Sequence, residues 1–188
     1  MIKNISSFLI SVSVLVLVFI FWPIVNEEAK YEIGKVLPSK SELLPVNKEF
    51  SIVVPKINAS APIIKNVDPF NKNEFLSSLK KGVAHAKNTK FPNQDGNVYL
   101  FAHSTDAFYN VSQYNAVFYL IGKLEKDDEI KIYYDNVEYS YSVVDKKVVS
   151  SDDTQYLTTN TNEKLLTLQT CYPPGTTLKR LIVTAKQK

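Results

Sequence analysis

The chain has 188 residues, 45% hydrophobic, 22% charged and 12% aromatic, which is enough apolar surface for one ordinary packed domain and too much for a disordered chain. Its formal net charge is only +3, and its 22 basic residues include a single arginine, Arg180, so reading of nucleic acid by arginine forks is excluded. One cysteine, Cys171, excludes an internal disulfide, and with only His85 and His103 beside it a Cys/His zinc site lacks ligands.

No charged side chain falls between Lys3 and Glu27, and residues 5–25 (ISSFLISVSVLVLVFIFWPIV) are long enough as a helix to cross ~30 Å of hydrocarbon. Trp22 and Pro23 stand where an interfacial belt and the helix exit are expected. Lys3 favours a cytoplasmic amino end, residues 1–4, and places everything after the span outside the cell. A cleaved signal peptide would carry a shorter apolar run and a small-x-small site, which VNEEAK matches poorly. Export puts the unpaired thiol of Cys171 in an oxidising setting, where it has either a use or a buried role as a small hydrophobe.

Residues 26–48 mix charge with Pro38 and Pro45 and read as a tether to a domain of residues 49–188. β-Branched runs at 50–55 and 61–65 predict two opening strands, and Asn71 or Asn73 predicts the cap of a helix that runs to about Lys81 and stops at Gly82. Residues 97–102 (NVYLFA) read as a buried strand delivering His103 at its carboxyl end, while 112–124 suit a helical turn or a strand. The clearest hairpin joins 129–134 to 137–144 through Asp135 and Asn136, two residues that tolerate positive φ. Runs at 164–171 and 178–185 close the chain. Seven or eight short strands with one or two small helices predict an all-β domain, a closed barrel or a sandwich.

The chemistry concentrates at strand ends. Cys171 ends one predicted strand, Arg180 begins the next, and YPPGTT between them is made of turn residues. An antiparallel register opposing 171 to 180 also opposes 169 to 182 and 167 to 184, and sets the thiol ~5 Å from the guanidinium position on one face. Such a neighbour favours thiolate over thiol, and a permanently charged fork can hold an oxygen on which charge develops. His103 is the natural proton carrier near neutral pH. His85 in GVAHA reads as a structural or rim residue.

TLQTC at residues 167–171 followed by Arg180 in KRLIV resembles the active-site strand pair of sortases, the cysteine transpeptidases of bacterial cell surfaces. Gly96 and Asn97 leading through VYLFA to His103, GKLEKDDEI at 122–130 and VVSSDD at 148–153 fit the same resemblance in order. It implies an eight-stranded β-barrel behind an amino-terminal anchor. It also implies Cys171 as the nucleophile on an LPxTG-like signal, His103 as acid and base, Arg180 at the oxyanion, and Thr170 in the substrate groove. The implied partners are secreted proteins with carboxyl-terminal sorting signals and an amine acceptor such as a cell-wall precursor; the implied location is the cell membrane, with the domain outside. Ser104 departs from the arginine or threonine often found after the histidine, and no long acidic lid precedes the domain.

No cofactor is expected. A calcium site would need Asp127, Asp128 and Glu129 or Asp152 and Asp153, but neighbours in a strand point to opposite faces, and solvated turns account for them better. LPSKS at 37–41 lacks a Thr-Gly scissile pair, so the chain is not expected to be its own substrate. Two other readings remain open: a membrane-tethered β-barrel that only binds peptides, and a cysteine hydrolase of the same fold.

Overall fold

The computed structural model describes residues 2–36, 43–104, 117–159 and 161–188. The LPSKS segment and the first part of the 112–124 run lie outside the described residues.

Helix α1 (Ile2–Val36) is 35 residues long. It continues beyond the expected exit at Trp22 and Pro23, because Glu28, Ala29, Lys30 and Glu32 keep supplying side chains that suit a helix. Phe8, Leu15, Phe19 and Trp22 are exposed along it. Among the described residues no helix is long and apolar enough to cross a membrane. Near its carboxyl end the helix meets the rest of the chain, where Tyr31 is buried and joins the main hydrophobic core.

Eight strands form a closed barrel: β1 (Phe50–Val54), β2 (Ala59–Val67), β3 (Val83–Ala86), β4 (Gly96–Phe101), β5 (Glu129–Tyr134), β6 (Val137–Ser150), β7 (Lys164–Tyr172) and β8 (Lys179–Gln187). Around the barrel they run β1-β2-β3-β4-β7-β8-β6-β5, and β5 returns to β1. Closure leaves no unpaired edge. Ile52, Val54, Leu100, Ile130, Ile132, Leu166, Leu168 and Val183 are all fully buried.

The local sequence explains the connections. Asp135 and Asn136 take φ of 49° and 66°, the pair of positive values that lets a two-residue turn follow the strand twist between β5 and β6. Helix α2 (Lys72–Leu79) starts at Asn71, whose side chain accepts the Glu74 N–H at 3.3 Å. Gly82 has a different reason from the helix stop expected of it. A Cβ there would lie 2.3 Å from the Pro62 carbonyl oxygen, so only glycine allows β3 to start against β2.

Residues beyond β6 fold back over the outer face of β4 and β7. The Thr167 hydroxyl donates to Asn97 Oδ1 at 2.9 Å, and Asn97 Nδ2 donates to the Tyr156 carbonyl at 3.0 Å. This covering makes β4 buried on both faces, hence its unbroken apolar run.

Candidate active site

The turn from β7 to β8 is short and carries Pro173, Pro174 and Gly175, the glycine at φ 78°. The pairing it sets opposes Thr167 to Thr184, Gln169 to Ile182 and Cys171 to Arg180. Leu166, Leu168 and Thr170 are buried toward the barrel interior, so the two-residue period of the strand turns Cys171 to the outer face. Cys171 and Arg180 therefore stand side by side on that face, ~5 Å apart at Cβ.

On its other flank β7 pairs in parallel with β4, Phe101 opposite Gln169. The contact continues past the end of β4: Ala102 N–H donates to the Gln169 carbonyl at 3.1 Å, and the Thr170 hydroxyl donates to the Ala102 carbonyl at 2.9 Å. His103 is the next residue, half-buried and just beyond the paired part of β4. Arg180 thus lies one strand spacing from Cys171, ~5 Å away, and His103 stands just past the end of β4 on the other flank of β7.

The polar groups around the row are not all at rest in the way the sequence predicts. Arg180 Nη1 donates to the carbonyls of Thr177 at 3.0 Å and Lys179 at 3.1 Å, which ties the guanidinium to the turn. The Thr170 hydroxyl spends its proton on Ala102, bracing β7 against β4. Burial pushes the Cys171 thiol up from its ordinary value, and the nearby Arg180 charge pulls it only partly back. Desolvation is the larger of the two effects.

Beside Cys171 lies a cavity of about 300 Å³. Its walls include Ser104 and Thr170 from strand ends, Leu181 from β8, Tyr119 and Lys123 from a 3₁₀ turn (Tyr119–Lys123), and Glu28 from α1. The Tyr119 hydroxyl donates to Glu28 at 3.2 Å, and Lys123 Nζ pairs with the same carboxylate at 3.1 Å. Burial and then the Glu28 charge push Tyr119 up to about 12, so it stays a neutral donor. The Ser104 hydroxyl is buried and has no hydrogen-bond partner among the described residues.

His85 is elsewhere. It is fully buried in β3, where Nδ1 accepts the Asn66 N–H at 3.3 Å and Nε2 lies 3.0 Å from the Lys90 carbonyl. Its ring stacks on Phe91 with centroids 4.6 Å apart, a structural setting. Among the described residues no cluster of His, Cys, Asp and Glu could hold a metal ion. Asp128 is instead paired with Lys56 at 2.8 Å and Glu129 with Lys188 at 3.0 Å. Sequence reasoning noted Ser104 only as a departure and missed Glu28, which reaches the cavity because α1 extends through a stretch read as a tether.

Comparison with known proteins gives one answer. Residues 52–188 match the family model described as Sortase domain. Sortase D of Bacillus subtilis (strain 168) is 33% identical over 137 residues, 71% of this chain, and the match spans 61% of that protein's own length. A Clostridium perfringens Sortase D5 transpeptidase superposes with a TM-score of 0.61 at 28% identity, covering 86% of this chain and 88% of that one. Sortase C-1 of Actinomyces oris superposes with a TM-score of 0.63 at 24% identity over 88% and 98% of the two chains, a likeness of fold. With a family model that fits most of the chain and a relative that shares a third of the aligned residues, this protein belongs to the sortase family, whose members are cysteine transpeptidases.

Proposed function

We propose that this chain is a membrane-anchored transpeptidase that cleaves an LPxTG-like sorting signal of secreted proteins and passes the acyl part to an amine on the cell surface. The observation that carries this reading is Cys171 paired opposite Arg180, with His103 just past the end of the neighbouring β4 and a cavity beside the sulfur. The Cys171 thiolate adds to the carbonyl carbon after the signal's threonine, and the developing oxyanion is met by the Arg180 fork, released from its turn carbonyls. His103, as imidazolium, protonates the departing amine as the C–N bond breaks, leaving a thioacyl enzyme. An incoming amine then attacks the thioester. Its proton passes to neutral His103, the new C–N bond forms, and the C–S bond breaks to return the thiolate.

Anchoring rests on the uncharged run of residues 5–25, which as a helix would span ~30 Å at 1.5 Å per residue. Lys3 on the short side and the domain on the long side support a single pass with the barrel outside. The full chain in detergent micelles, incubated with a library of sorting peptides and read by mass spectrometry, should carry a thioacyl adduct on Cys171. Cys171→Ala should carry none. No adduct on the wild-type chain, or one that persists in the variant, overturns the reading.

A further inference from the structure

A buried hydroxyl without a partner is costly, and folded proteins retain very few. Ser104 is 1% exposed, its Oγ has no hydrogen-bond partner among the described residues, and the residue lines the same cavity as Cys171. It directly follows His103 in the chain. Other polar groups at this end of the site are engaged: Thr170 with Ala102, Tyr119 and Lys123 with Glu28. Among the described residues, Ser104 Oγ is the one buried side-chain atom lining this cavity that has no hydrogen-bond partner.

The position of that atom says which part of the reaction it serves. The group that exchanges a proton with His103 is an amine, first departing and then arriving, and both must occupy the same place. Arg180, which answers to the oxyanion, lies across Cys171 on the other flank. Cys171 lines the cavity, so a group bound there meets the acyl carbon on its sulfur, and Ser104 directly follows His103 in the chain. The cavity offers the unused lone pairs of Ser104, while an amine brings N–H donors.

We infer that this cavity is the subsite for the accepting amine and that Ser104 is a binding residue for it, its Oγ accepting an amine N–H. The inference rests on the transpeptidase reading above and assigns the acceptor half of that reaction. The test uses the full chain with a sorting peptide as acyl donor and triglycine as the amine probe. In Ser104→Ala, Cys171 should still form the thioacyl adduct, and the KM for triglycine should rise roughly threefold to tenfold, the range for one hydrogen bond. The melting temperature should be equal to or above that of wild type, because an unpaired buried hydroxyl has been removed. An unchanged triglycine KM or a lower melting temperature each overturns the role of Ser104. No adduct on wild-type Cys171 overturns the transpeptidase reading itself, an outcome distinct from adduct formation with an unaltered amine KM in the variant.

Discussion

At Cys171 two effects of comparable kind oppose each other, and their order has a kinetic signature. Burial raises the thiol and Arg180 lowers it, with burial the larger. Turnover under the proposed mechanism needs thiolate and imidazolium in the same molecule, so kcat/KM is bell-shaped in pH. With burial raising the thiol, the alkaline limb follows Cys171. Arg180→Gln removes the charge that holds the thiol down, so its alkaline limb should move to higher pH while kcat/KM falls at least tenfold. Rates measured from about pH 5 to about pH 10 check both parts; a monotonic wild-type profile contradicts the assignment. The juxtaposition of Cys171 and Arg180 was legible in sequence because a short turn leaves two strands little choice of register. The direction of the guanidinium was not, since it depends on carbonyls of Thr177 and Lys179 that become acceptors only once the turn has folded. Ser104 was equally hidden: nothing in a residue's type reports that its neighbours are already paired.

At the scale of elements, the outer face of β4 and β7 is closed by a polar relay rather than by apolar contact. Thr167 donates to Asn97, and Asn97 donates to the Tyr156 carbonyl in the covering segment. Thr167→Val keeps the shape but leaves Asn97 Oδ1 buried and unpaired, which should cost about 1–3 kcal/mol in urea unfolding of the full chain. A loss below about 0.5 kcal/mol would mean that water replaces the lost donor. The strands flanking Asp135 and Asn136 were legible because alternation and a turn pair point the same way. β3 was not read as a strand: it has only four residues, all buried and paired parallel to β2 on one side, so no alternation marks it. The extension of α1 was likewise invisible, because Tyr31, which joins the core, and Glu28, which lines the cavity, make no apolar period.

For the whole molecule the question is what holds α1 against the barrel. The Glu28–Lys123 pair has side chains 36% and 42% exposed, and such surface pairs contribute about 0–1 kcal/mol. Tyr31 is buried and takes Lys123 over its ring at 5.6 Å, and a buried side chain of this size contributes about 1.5–3 kcal/mol. Tyr31→Ala should therefore lower the stability of the full chain by about 2 kcal/mol, while Glu28→Gln changes it by less than about 1 kcal/mol. Equal losses from both substitutions in chemical denaturation would show that charge, not burial, fastens the helix. Either way Glu28 belongs at once to the helix and to the chamber beside the sulfur. A shortened preparation beginning at residue 49 would therefore work with one side of that chamber missing. Its apparent tolerance toward bulky nucleophiles would then reflect where the gene was cut, and only the uncut chain would reveal how narrow the natural doorway is.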